Sequence, residues 1–508
     1  MSDKALAVRG VVFNWLGRGC AIIITFFLTP YLVSKLGDES YGLWSMVMAF
    51  TSYYAMADMG LRGAGVKYIA QYLAVKDYES VNKVFVTSLA VYALIGAVIL
   101  VIVGIASVIL PYTIDLGNHS IREMQWVIFL TGATMATRML SQVYGAALSA
   151  MQRHDITNIV AVAMQLFQAV AVVAALLGGY GLWGMAVATF TVTLTGQLLR
   201  TAFSYWLLPE LSISTQYFDK QMLKQVFRFS GVNVMANTAA RLLVYGGGLI
   251  VGYMWGPAMV LFYTIPESIT QKTSQLGSAI TQVIDPLASR LNAQKNKSAM
   301  LELMVLPPRL LTVSSLSLAI FFAFFGGSVI RQWMGPQYVE QMTPVLCVLA
   351  VARALKMSTG GLQAVLRSMA KLRVIAIAAM LEICITLVFG LTGVWYWGPI
   401  GMAYAILIAQ FLVGLLFVPA ATCKALDLPI RRFYLDVWPP SLAALLPPLC
   451  VAFLLDYFWA PGRLLELAVV CGLILVTAGI SAFFICVPRN RRSDILVSLT
   501  FRSPVKPA

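Results

Sequence analysis

The chain has 508 residues, 60 % of them hydrophobic and 11 % charged, with a mean hydropathy of +0.82. Water-soluble domains carry about 25 % charged residues, so a soluble enzyme is excluded. Apolar runs of about 20 to 30 residues, the length that crosses a ~30 Å hydrocarbon core as helix, point to an all-α polytopic membrane protein. The 36 Lys plus Arg against 21 Asp plus Glu would suggest nucleic acid only if they formed a basic patch or tail; instead they follow the connections between runs.

In chain order, the first run, from about Val11 to Leu36, is too long for a signal-peptide core and has no small-residue cleavage site behind it, so it reads as a retained span. Marking every run by the Gly, Pro or charged residues that break it gives fourteen expected spans. They start near Val11, Gly42, Lys83, Glu123, Ile156, Leu182, Val226, Pro257, Leu303, Tyr338, Leu372, Gly401, Tyr434 and Arg463. An even count puts both termini on one side. The connections on that side hold 25 Lys and Arg, Arg200 counted among them, against Lys35, Arg122, Arg331 and Arg463 on the other. The positive-inside rule then places both termini in the cytoplasm.

The chain repeats itself. Gly184-Met-Ala-Val-Ala returns as Gly401-Met-Ala-Tyr-Ala at an offset of 217, and Thr137-Arg-Met-Leu with Gly145 returns as Ala352-Arg-Ala-Leu with Gly360 at 215. Tyr68-Ile-Ala and Pro286-Leu-Ala lie 218 apart. An even number of spans separates the copies, so spans one to six (1–210) and seven to twelve (211–425) read as parallel repeats of the kind found in transporters that rock two halves about a central site. Residues 426–508 add helices 13 and 14 and a basic cytoplasmic tail.

Seven cations fall inside spans: Arg18, Arg62, Arg138, Arg241, Lys272, Arg353 and Lys356; the acids at similar depth are Asp58, Glu267 and Glu382. A charge near the bilayer centre costs at least ~2.5 kcal/mol, so such residues line a watery, inward-facing path rather than lipid. Asp58 and Arg62, four apart, fit an internal ion pair. Three acids cannot neutralise seven cations, however, and the surplus points to an anionic substrate held by Arg18, Arg62, Arg138, Arg241, Arg353 and Lys356. Arg138 and Arg353 are repeat-related, and Arg353 and Lys356 share a helix face. Glu267 and Glu382 are candidate ligands for a coupling ion or proton, or are satisfied by neighbouring Ser, Thr or Arg. Pro30, Pro266 and Pro344 fall inside spans, as kinks or hinges.

Enzyme chemistry finds little support. His119 and His154 have no His or Cys at metal-ligand spacing, and no G-x-x-x-x-G-K-[ST] loop occurs. Gly178-Gly-Tyr-Gly-Leu-Trp-Gly joins two spans rather than a strand to a helix. The seven cysteines show no C-x-x-C spacing and read as reduced packing residues. No catalytic residue, metal or cofactor is expected.

The run Phe26-Phe-Leu-Thr-Pro-Tyr-Leu-Val-Ser-Lys-Leu-Gly, followed by Tyr41-Gly-Leu-Trp-Ser, Ala57-Asp-Met-Gly-Leu and Lys67-Tyr-Ile-Ala, resembles the start of Wzx-like polysaccharide flippases of the multidrug/oligosaccharidyl-lipid/polysaccharide (MOP) exporter superfamily. That resemblance implies movement of an undecaprenyl-diphosphate-linked oligosaccharide from the cytoplasmic to the periplasmic leaflet of a bacterial inner membrane, by alternating access through a cationic central cavity. It also implies a lipid-linked anionic oligosaccharide and membrane lipid as partners, with the polymerase and glycosyltransferases of the same pathway. The alternatives are a cation-coupled multidrug antiporter of that superfamily, for which the net +4 interior is unsuited, and a membrane glycan polymerase or ligase.

Overall fold

The computed structural model describes residues 3–54, 61–117, 119–225, 246–459, 461–489 and 492, without the side chains of 3–16, 18, 54 and 274–283. Among the described residues all regular structure is helical, as expected of an all-α polytopic membrane protein. The chain divides into two compact units, Met1–Leu261 and Phe262–Ala508.

The first unit contains α1 (Asp3–Leu36), α2 (Asp38–Tyr54), α3 (Leu61–Ala74), α4 (Tyr78–Ile109), α5 (Ile121–Ala150), α6 (His154–Leu177) and α7 (Gly181–Leu207). Local chemistry sets the ends. Gly37, at φ +78°, stops α1 in the left-handed conformation that glycine adopts without a Cβ penalty. Asp77 Oδ1 accepts the Ser80 N–H at 3.0 Å and Ser120 Oγ accepts that of Glu123 at 3.1 Å, capping α4 and α5. The cap holds the Asp77 carboxyl below the usual carboxylate range, through the Ser80 hydrogen bonds first. The core lies between α4 and α5, where Val84, Phe85, Tyr92 and Val103 meet Met124, Val127, Met139 and Val143. Phe85 and Tyr144 pack edge to face at 5.3 Å.

The second unit contains α8 (Pro257–Ala293), whose first turn still belongs to the first unit, α9 (Lys297–Trp333), α10 (Val339–Ser358), α11 (Gly360–Ser368), α12 (Leu372–Trp397), α13 (Pro399–Ala409), a π-helical stretch (Gln410–Phe417), α14 (Val418–Ala425), α15 (Ile430–Phe458) and α16 (Leu464–Ile485). Arg309 of α9 ties the last two helices down. Its Nε donates to the Asp436 carbonyl at 2.7 Å and its Nη1 to the Cys486 carbonyl at 3.1 Å. The seven cysteines are all unpaired.

Ten helical stretches among the described residues are long and apolar enough to cross a membrane. The expected start near Val226 lies outside the described residues, as do residues 55–60 between α2 and α3 of the run from Gly42. Helices α5 and α8 have spanning length but are more polar, and both carry the charged residues described below. The repeat is visible in the helix boundaries: α6 and α7 begin at His154 and Gly181, α12 and α13 at Leu372 and Pro399, 218 positions later in each case. The repeated glycines mark helix crossings. A Cβ on Gly184 would lie 3.0 Å from that of Ala175 in α6, and one on Gly401 would lie 2.0 Å from the Gly393 carbonyl oxygen in α12.

Candidate functional site

Three arginines from three helices of the first unit line one cavity of about 550 Å³: Arg62 at the start of α3, Arg138 in the middle of α5 and Arg200 in the last third of α7. The Arg200 Nη1 donates to Ser141 Oγ at 3.1 Å, which anchors α7 to α5 at the cavity wall. Glycines make room for the guanidinium groups. A Cβ on Gly145 would stand 3.8 Å from Arg62 Nη2, and one on Gly196 would stand 3.6 Å from Arg200 Nη1 and 3.0 Å from Met164 Cγ.

Among the described residues no carboxylate lines this cavity and none of the three arginines has an acidic partner. Arg200 feels the positive charges of both Arg62 and Arg138. Like charges converge only where water or an anion offsets their repulsion, so the arrangement can receive an anion with several oxygens, for which guanidinium forks are fixed, always-charged donors.

The second unit treats its charges differently. Arg353 of α10 forms an ion pair with Glu267 of α8, whose side chain is 7 % exposed. Lys356 Nζ lies 2.7 Å from Glu382 Oε1, and Gln410 Nε2 donates to that same oxygen at 2.5 Å. Gln410 opens the π-helical stretch, a local widening of the helix common at functional sites. Arg138 and Arg353 are repeat-related in sequence, yet one lies open to a cavity and the other is neutralised by its own carboxylate. Glu267 and Glu382, the candidate coupling-ion ligands, each hold a protein cation here.

The side chain of Arg18, together with Arg241, Asp58 and hence the Asp58–Arg62 pair, lies outside what the structure describes. Arg200 was not among the expected site residues, because its position after an apolar run reads as a connection; α7 instead continues to Leu207. The signal was present in the spacing. Gly196, Arg200 and Ser204 recur every four residues, a small and polar helix face that continues past Leu199.

The model of a polysaccharide biosynthesis protein family matches residues 7–292, more than half of the chain. The chain belongs to the polysaccharide biosynthesis protein family. Within the relatives of this family member, a Shigella flexneri protein assigned as an O-antigen transporter is 23 % identical over 358 residues, 68 % of this chain and 80 % of the relative. Among solved structures, the lipid II flippase MurJ in an inward closed conformation aligns over 97 % of this chain and 100 % of its own, with a TM-score of 0.69 at 13 % identity. An inward-facing multidrug resistance MATE transporter of the MOP superfamily aligns over 80 % and 96 %, also with a TM-score of 0.69, at 16 % identity. These neighbours show that this polysaccharide biosynthesis protein shares the fold of MurJ and of the MATE transporter. The relatives are transporters and flippases, not enzymes.

Proposed function

We propose that the protein is a flippase that carries an undecaprenyl-diphosphate-linked oligosaccharide from the cytoplasmic to the periplasmic leaflet of a bacterial inner membrane, by alternating access, for assembly of a surface polysaccharide. The observation that carries this reading is the cavity lined by Arg62, Arg138 and Arg200 with no carboxylate among its described lining residues. A diphosphate crossing a bilayer needs charged donors in place of water, and guanidinium groups supply them without a change of protonation. A drug-export antiporter that takes cations would favour the opposite polarity. Both termini are then cytoplasmic, following the loop cations, the glycosyltransferases of the pathway build the substrate, and a polymerase receives the product. Arg18 and Arg241 belong to the same proposed anion path.

Replacing Arg138 or Arg200 by Ala removes a charge-assisted hydrogen bond worth about 1.5–3 kcal/mol. Surface glycan should fall by about 10- to 100-fold on that scale, while protein abundance in the membrane stays normal. Lys at either position should restore only part of the loss, since an ammonium cannot form a bidentate fork. Full surface glycan in both Ala variants would overturn the assignment.

A further inference from the structure

The arginines occupy only part of the cavity wall. At about 550 Å³ the cavity lies in the range of about 300–1,000 Å³ that encloses a whole drug-sized ligand, well beyond a diphosphate. The rest of the wall is neutral and polar: Gln142 of α5, Asn158, Gln165 and Gln168 of α6, and Thr193 of α7. On α6 the three amides stand at i, i+7 and i+10, on one helix face. Gln168 is preset, its Nε2 donating at 3.0 Å to Thr189 Oγ1, which itself bonds the Met185 carbonyl at 2.7 Å; its Oε1 is left to accept. Among the described residues Gln142 and Gln165 have no hydrogen-bond partner in the protein.

The repeat shows that this openness is particular to the first unit. Gln165 stands 217 positions before Glu382, Thr193 217 before Gln410, and Ser141 215 before Lys356. In the second unit those three side chains satisfy one another, with Glu382 accepting from both Lys356 and Gln410. At the matching positions of the first unit the charges are gone and the side chains line a cavity.

We propose that this amide wall is a subsite for the hydroxyl groups of an uncharged sugar attached directly to the diphosphate, an inference that rests on the reading of the arginine cavity as the diphosphate site. A carboxamide presents donors and an acceptor in one plane, which suits neighbouring sugar hydroxyls that each donate and accept. Among the described residues no aromatic ring lines the cavity, so recognition runs through hydrogen bonds rather than stacking. A site of that kind discriminates by hydroxyl position, because an epimer leaves a desolvated amide unpaired.

The test uses the full-length protein in lipid nanodiscs and two probes, a short polyprenyl diphosphate and the same lipid carrying one hexose. Gln142→Ala and Gln165→Ala should weaken binding of the hexose lipid by about 5- to 10-fold, the scale of one or two neutral hydrogen bonds, and leave the sugar-free lipid within about twofold. Gln165→Met, which keeps the volume without the hydrogen bonds, should show the same selective loss, and its thermal unfolding midpoint checks that the fold is intact. Equal weakening of both probes, or of neither, overturns the sugar subsite. Arg138→Ala should weaken both probes; if it leaves the sugar-free lipid bound as in the unaltered protein, the diphosphate reading fails instead.

Discussion

Glu267 and Arg353 stand 86 positions apart in sequence and meet as a buried ion pair, with Glu267 Oε2 and Arg353 Nε both lacking a partner among the described residues. Such a pair contributes little net stability while intact, since desolvation offsets attraction, but removing one member strands the other and costs about 3–5 kcal/mol. Arg353→Met should therefore lower the thermal unfolding midpoint of the purified protein sharply, and Glu267→Gln in the same chain should recover most of the loss. If the double variant is as unstable as the sum of its singles, the two side chains are not coupled. The residues themselves were legible in the sequence as charges inside apolar runs. Their partners were not, because periodicity reports which residues share a face of one helix, and α8, α10 and α12 choose one another through packing. The same limit explains why Arg353 and Lys356, expected beside Arg138 as anion donors, are found with carboxylates of their own.

At the scale of elements, apolar run length and Gly or Pro punctuation were enough to locate nearly all the helices, while the Gly-Met-Ala motif, legible only as a repeat, sits at two helix crossings. Two features were hidden. Helix α7 runs on through a polar end that reads as a connection, and no hydrophobic pattern announces the π-helical Gln410–Phe417, whose first residue bonds Glu382. The crossing at Gly401 is the tightest consequence of the repeat. A Cβ there would fall 2.0 Å from the Gly393 carbonyl oxygen and 2.7 Å from the Val394 nitrogen, both backbone atoms that cannot turn aside as a side chain would. Gly401→Ala should thus force α12 and α13 apart and cut the yield of folded protein in membranes. Gly472 of α16 meets nothing within 4 Å, and Gly472→Ala should be neutral or gain up to about 1 kcal/mol from helix propensity. Equal yields for the two variants, measured by fluorescence-detected size exclusion, would contradict the close crossing.

For the whole molecule the two units divide the electrostatic work: the first gathers Arg62, Arg138 and Arg200 around a cavity with no acidic partner among the described residues, and the second pairs Arg353 and Lys356 with Glu267 and Glu382. That division bears on what drives transport, since the sequence holds no nucleotide-binding loop. A diphosphate with two negative charges that leaves a cytoplasm held at negative potential moves down the electrical gradient, at about 2.3 kcal/mol per charge per 100 mV. The potential alone is then a sufficient source. Glu267 and Glu382, the proposed ligands of a coupling ion, are already occupied by Arg353 and Lys356; a second cation can enter only if those pairs open. Outward flipping of a labelled polyprenyl-diphosphate glycan in proteoliposomes should accelerate when the potential is set negative on the side the substrate leaves, and should stop responding when that potential is collapsed. Imposed sodium or proton gradients at zero potential should add much less, and the Glu267→Gln/Glu382→Gln double variant should keep its response to potential. A requirement for ATP would overturn gradient-driven flipping, and strong acceleration by an ion gradient at zero potential, lost in the double variant, would show that the two carboxylates do exchange their internal partners for a transported ion.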